Sequence, residues 1–239
     1  MNYGLLLSGG IGSRIGANMP KQYVKAGGHM MVSYALMPIL QCSYIDKVYI
    51  VCENVWKEDI LSDVRSLALD LNEMKVVGFA QPGENRQLSI VSGMEMILRD
   101  AEAFDIDDTI LVHDGARPFL TAEMLNDCYN AIVGHDGVMP TLPMKDTVYE
   151  SNDGKSITKL LEREKIFAGQ SPELFNLLKY YDANMALMPD KISKVNGATE
   201  PAIMYGMDIA MIPGDENNYK VTSGVDMAEF VRIKEGNSP

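Results

Sequence analysis

Short β-rich runs alternate with helix-length segments from the first residues onward, and this alternation restricts the fold more than any other feature of the chain. Residues 3–8 (YGLLLS) read as a buried strand broken by Gly9 and Gly10, and residues 47–52 (KVYIVC) as a second strand. Residues 56–71 follow with Ile60, Val64 and Leu67 at three- and four-residue spacing, which puts them on one face of a helix. Residues 75–79 form a third strand, and the helix after it carries Leu88, Val91, Met94 and Ile97 in one stripe. Residues 109–114 (TILVHD) are a fourth strand, 122–133 a helix, and 137–142 another strand. Strands joined by helices of this length imply right-handed crossovers, hence an α/β fold with three Rossmann-like layers: a mainly parallel sheet between two sets of helices. Ligands of such sheets bind beyond the carboxyl ends of the strands. Residues 9–21, 82–89 and 114–117 all fall there.

The alternation changes near Thr147. TVYE, Ser-Asn-Asp-Gly and KSITKLLE read as a hairpin about an Asn-Asp-Gly turn, an excursion from the sheet. A helix is expected from about Pro172, a strand over 208–212 and a closing helix from Val225, capped by Ser223 with Asp226 in its first turn. Neither repeats nor linkers stand out, so residues 1–239 read as one domain with 147–165 as a β-arm.

Composition narrows the possible partners. Against 33 acidic residues the chain has 21 basic ones, a net charge of −12, which argues against nucleic acid and anionic membranes. No apolar run approaches the roughly 18 residues of a membrane span. The cysteines, Cys42, Cys52 and Cys128, are scattered without metal-ligand spacing, and residues 1–8 lack a basic leader. A cytoplasmic protein is expected. Any site for a phosphorylated ligand must gather its cations locally.

Residues 8–23 (SGGIGSRIGANMPKQY) supply such cations. Gly9, Gly10 and Gly12 follow a strand, where missing Cβ atoms let backbone N–H groups wrap a phosphate, and Arg14 and Lys21 add formal charge. The loop lacks the Gly-Lys-Ser/Thr close of a Walker A motif. A nicotinamide-binding loop fits poorly too: the only acid at the end of the second strand, Glu53, lies about 40 residues on, where roughly 20 are expected.

The segments GGIGSR…MPKQ, GENRQLSI, VHDGARPF, PMKDT, EREKIFAGQSPELF and NYKVT occur in this order over nearly the whole chain. Together they resemble the sugar-alcohol-phosphate cytidylyltransferases, which make CDP-methylerythritol or CDP-ribitol from CTP and a polyol phosphate. The resemblance implies a nucleotidyltransferase fold and an arm that joins a homodimer with a shared acceptor site. It implies catalytic roles for Arg14, Lys21 and Lys220, and Mg²⁺ held by Asp114. Ser8, Gly9, Gly10, Gly12, Pro82, Gly83 and Ser89 would bind CTP, with Ser89 toward the cytosine edge and Arg86 bracing its loop. Arg117, Thr147 and Arg163 would bind the acceptor. The packed neighbour of Asp114, His113, reads as structural. A phosphate monoester is already mostly dianionic at pH 7, so the reaction needs positioning and charge neutralisation more than a general base.

Three positions depart from the family pattern. Pro82 stands where a Gly with an N–H is usual, Tyr149 replaces a lysine of methylerythritol enzymes, and Glu200 replaces an Asp. Tyr149 and the Gly9-Gly10 opening lean the acceptor toward ribitol 5-phosphate, whereas RQLSI, HDGARPF and PMKDT look closer to the branch that uses 2-C-methyl-D-erythritol 4-phosphate, which is the alternative. More distant readings are a nicotinamide-dependent oxidoreductase and a catalytically silent CTP-binding module.

Overall fold

The computed structural model describes residues 1–10, 19–67 and 75–236. Gly12 and Arg14 lie outside these, as does the expected end of the 56–71 helix. Strand β1 (Asn2–Leu7) is followed by a small strand pair, β2 (Lys25–Ala26) and β3 (His29–Met30), and by helix α1 (Met31–Gln41). The alternation then runs β4 (Lys47–Val51), α2 (Lys57–Leu67), β5 (Val76–Ala80), α3 (Arg86–Asp100), β6 (Thr109–Asp114), α4 (Ala122–Ala131) and β7 (Gly137–Pro143). A hairpin of β8 (Tyr149–Glu150) and β9 (Lys159–Leu160) precedes β10 (Phe167–Gly169) and β11 (Glu173–Asn176). Helices α5 (Leu177–Met185) and α6 (Thr199–Tyr205), strand β12 (Ile209–Pro213) and helix α7 (Gly224–Lys234) complete the chain.

The main sheet runs β10-β7-β11-β6-β1-β4-β5, with β12 also paired to β7. Its β1, β4, β5 and β6 are mutually parallel, as the crossovers require, and β12 is parallel to β7. Side chains alternate across it: Leu6, Val48, Ile50 and Leu111 join α1, α2 and α4 in one core, whereas Tyr3, Leu5, Tyr49, Val51, Ile110 and Val112 meet α3 and α5 in the other. That period of two, with apolar residues on both faces, produces the expected three layers.

One expected element is corrected. In place of a helix from Pro172, residues 173–176 form β11, antiparallel to both β6 and β7. Helix α5 begins only after Asn176, whose side chain accepts the Lys179 N–H at 3.0 Å. Proline at a first helical position favours a helix start, but the space between β6 and β7 captures the next four residues as a strand. At the other end of the chain Ser223 caps α7 as expected, and Asp226 in the first turn reaches back to make the cap reciprocal.

The excursion after β7 is present as the β8–β9 hairpin, with Tyr149 opposite Leu160 and Glu150 opposite Lys159. Asp153 closes its turn, accepting the N–H groups of Lys155 and Ser156 at 2.8 Å each. Tyr149, Ile157 and Leu160 on it are exposed. The chain leaves the sheet at Pro143 and re-enters at Phe167, two residues that face each other across the antiparallel β7–β10 pair. Among the described residues no helix is long and apolar enough to cross a membrane.

Candidate active site

Asp114 is the last residue of β6, and the parallel register with β1 sets it beside Leu7, where the glycine loop begins. Three cations converge on it. Arg86 Nε donates to its Oδ1 at 3.0 Å, Lys220 Nζ to its Oδ2 at 2.8 Å, and Arg117 Nε lies 4.0 Å from Oδ2. Burial alone would raise the Asp114 pKa, but Arg86 and Lys220 outweigh it and hold the carboxyl well below the ordinary range. Arg86 is partly buried, which disfavours its charge, yet Asp114 and Glu173 favour its charged form. An acidic chain thus collects cations around one carboxylate at the ligand end of the sheet.

His113, fully buried, is structural as expected. Its Nε2 faces Arg117 O at 3.1 Å and its Nδ1 faces Ser171 Oγ at 3.2 Å. Donation from Nε2–H to the carbonyl and acceptance at Nδ1 is the tautomer this network assigns. Burial pushes its pKa down to about 4, so the ring is neutral at pH 7.

The segment after the glycine loop folds back onto its start. Gln22 Nε2 donates to Ser8 O at 2.7 Å and to Gly10 O at 2.6 Å, and Tyr23 Oη donates to Ser8 O at 2.7 Å. Ser8 itself is buried, with its Oγ 3.2 Å from Tyr23 Oη. Trp56 stacks on Tyr23 with ring centroids 4.0 Å apart. Lys21 donates to Val221 O at 2.6 Å, which brings it to the segment that carries Lys220. The sequence assigns Gln22 no role beyond its position directly after Pro20-Lys21.

The candidate base loop is tight. Asn85 caps α3 by accepting the Leu88 N–H at 2.8 Å. Ser89 Oγ accepts the Gly83 N–H at 3.0 Å and donates to Asn85 O at 2.9 Å. A Cβ on Gly83 would stand 2.6 Å from the Leu88 carbonyl carbon, so only glycine fits over that turn. Pro82 packs against Gly9, joining the base loop to the glycine loop. Arg86, expected to brace this loop, reaches beyond it: while Nε holds Asp114, Nη2 donates to Glu173 at 3.1 Å.

The candidate acceptor residues divide between two places. Arg117 stands in the Asp114 cluster, donating Nη1 to Asn218 O at 2.7 Å. Thr147 and Arg163 are exposed at the base of the hairpin, where Arg163 donates to Lys145 O at 3.1 Å and pairs with Glu164 at 3.6 Å. Glu200 turns away to accept the Gly197 and Asn196 N–H groups at 2.9 and 3.2 Å. Its neighbour Thr199 donates instead to Glu173 at 3.2 Å. Glu173 lies within the segment EREKIFAGQSPELF, but the sequence assigns it no role of its own, because residues 172 onward read as helix.

Among the described residues no group of three or more His, Cys, Asp or Glu could hold a metal ion. One carboxylate fits a cation that takes most of its ligands from phosphates and water, as Mg²⁺ does, and does not fit a resident structural metal.

Comparison with known proteins places the chain among relatives of similar length and fold. Ribitol-5-phosphate cytidylyltransferase of Streptococcus agalactiae serotype Ia is 28% identical over 236 residues, 96% of this chain and 94% of that protein. The bifunctional enzyme IspD/IspF of Granulibacter bethesdensis is 28% identical over 231 residues; the chain spans 55% of its length. Among solved structures, 4-diphosphocytidyl-2C-methyl-D-erythritol synthase of Anaerococcus prevotii superposes with a TM-score of 0.78 at 21% identity, covering 97% of this chain and 95% of that one. The Francisella tularensis 2-C-methyl-D-erythritol 4-phosphate cytidylyltransferase gives 0.77 at 22%, covering 98% and 99%. At these identities the superpositions establish the fold. Residues 4–233 match the family model of 2-C-methyl-D-erythritol 4-phosphate cytidylyltransferase, and the chain belongs to that family, IspD.

Proposed function

We propose that this chain is a cytidylyltransferase that moves CMP from CTP to a sugar-alcohol phosphate and releases pyrophosphate. The observation that carries the reading is the convergence of Arg86, Arg117 and Lys220 on Asp114 in a chain of net charge −12. In this reading an oxygen of the acceptor phosphate attacks the α-phosphorus, the bond to the bridging oxygen breaks, and that oxygen leaves with pyrophosphate. No proton need move, because the acceptor is already dianionic. Lys220 and Lys21 neutralise charge on the phosphates as it redistributes, Arg117 meets the acceptor phosphate, and the Gly9–Gly10 backbone approaches the triphosphate. Asp114 would hold Mg²⁺, which would supply positive charge to offset that of the phosphates.

The preferred acceptor is ribitol 5-phosphate. Tyr149 in place of a lysine and full-length similarity to ribitol-5-phosphate cytidylyltransferases support it. The family model's own description supports 2-C-methyl-D-erythritol 4-phosphate as the second reading. The exposed apolar residues of the hairpin, Tyr149, Ile157 and Leu160, suit a homodimer in which Thr147 and Arg163 complete a shared acceptor site. Three buried, unbridged cysteines suit a reducing cytoplasm. The test is pyrophosphate release with CTP, Mg²⁺ and each polyol phosphate in turn. Faster turnover with ribitol 5-phosphate is expected; preference for methylerythritol phosphate selects the second reading. CTP binding without release from any acceptor selects a silent module, and protection by NAD(P)H alone an oxidoreductase.

A further inference from the structure

Glu173 has no part in the reaction above, yet it is a carboxylate with 6% of its surface exposed, and a buried charge requires partners. It begins β11, opposite Val112 of β6, so the antiparallel strand delivers it beside the end of β6 that carries Asp114. Its two donors are Arg86 Nη2 and Thr199 Oγ1. The same guanidinium gives Nε to Asp114 Oδ1, so Arg86 is a planar fork held between two carboxylates. The two oxygens of Asp114 therefore differ. Oδ1 is gripped by Arg86, 24% exposed and anchored by the buried Glu173, whereas Oδ2 faces Lys220, 36% exposed, with Arg117 Nε 4.0 Å away.

We propose that Glu173 is a positioning residue for nucleotidyl transfer: through Arg86 it fixes the Asp114 carboxylate so that Oδ2 is the oxygen offered to the incoming phosphates and the cation they carry. This rests on the cytidylyltransferase reading. Direct partners of a metal ligand, as Arg86 is of Asp114, typically change metal affinity or activity by about 10–100-fold when lost, and Glu173 acts through that partner, toward the lower end of the range.

Glu173→Gln keeps an acceptor oxygen for Arg86, whereas Glu173→Leu keeps the size and removes it. The measurements are CTP affinity by calorimetry with and without Mg²⁺, and steady-state pyrophosphate release. In Glu173→Leu the gain in CTP affinity that Mg²⁺ produces should shrink about tenfold, and kcat should fall by about tenfold or more. Metal-free CTP affinity and the KM for the acceptor should hold, and Glu173→Gln should track the parent. Parental Mg²⁺ dependence in folded Glu173→Leu overturns the proposal, as does equal damage in both variants. Should Glu173→Leu not fold, Arg86→Lys carries the same test, because lysine keeps the charge but cannot bridge both carboxylates; there too, an unchanged Mg²⁺ gain overturns it. Parent protein that fails to bind CTP would instead refute the functional reading.

Discussion

Gly9 and Pro82 pack so closely that a methyl group on Gly9 would stand 2.4 Å from Cγ of the proline ring. The ring is stiff, so the two loops would have to separate. Gly9→Ala should cost about 1–3 kcal/mol, as overpacking does, and should raise the KM for CTP. Removing the ring as well, in Gly9→Ala/Pro82→Gly, should restore part of the loss. Chemical denaturation and CTP titration of both single variants and the double provide the cycle. Strict additivity would show that the two residues do not act as a pair.

Lys220 can leave Asp114 without exposing an unpaired carboxylate, because Arg86 stays on the other oxygen. Lys220→Ala should therefore fold normally and lose about 10²–10³-fold in turnover, the usual effect of removing one donor aimed at developing charge. Circular dichroism with pyrophosphate-release kinetics checks both halves. Turnover within tenfold of the parent would remove Lys220 from the mechanism.

Neutral, buried His113 should make stability depend on acid. Its folded pKa, pushed down to about 4, lies below the value of about 6.5 in the unfolded chain, so unfolding takes up a proton between them. Stability is complete above pH 6.5 and declines as the pH falls toward 4, with a slope approaching about 1.4 kcal/mol per pH unit. Asp114, held low, adds its loss only below its ordinary value of 3.8. Urea unfolding at pH 7, 6 and 5 should show the slope, and His113→Gln should flatten it. A variant with the parental slope assigns the effect to other groups.

Asn85 both caps α3 and supplies the carbonyl that Ser89 uses. Asn85→Ala should cost about 1 kcal/mol, and Asn85→Ser should recover most of it. If the cap also shapes the base loop, the KM for CTP rises in the alanine variant alone. Equal KM values would confine Asn85 to stability.

The strands at the centre of the sheet were legible because each carries an apolar run bounded by turn residues. Residues 109–114 and 137–142 emerge within a residue of their expected bounds. Helix α1 is not legible in sequence: MVSYALMPILQ is apolar nearly all round and contains Pro38, so no single stripe marks it. The sequence of β11 reads as helix because four residues after a proline carry no periodicity of their own; their partners β6 and β7 are distant in sequence. The site divides in the same way. Asp114, Arg117 and Lys220 lie in motifs that can be recognised, whereas the Arg86–Glu173 contact exists only because β11 runs against β6 and meets the start of α3.

The pairing of Pro143 with Phe167 means that the hairpin between them starts and finishes at one point of the sheet. Such a segment behaves as an interchangeable cassette: lengthening it, or replacing it with that of a relative, shifts no strand and breaks no register. In the proposed reading, Thr147 and Arg163 lie on that one continuous stretch of chain, so the part of the acceptor site they supply can be exchanged while Arg117 and the nucleotide half keep their own geometry.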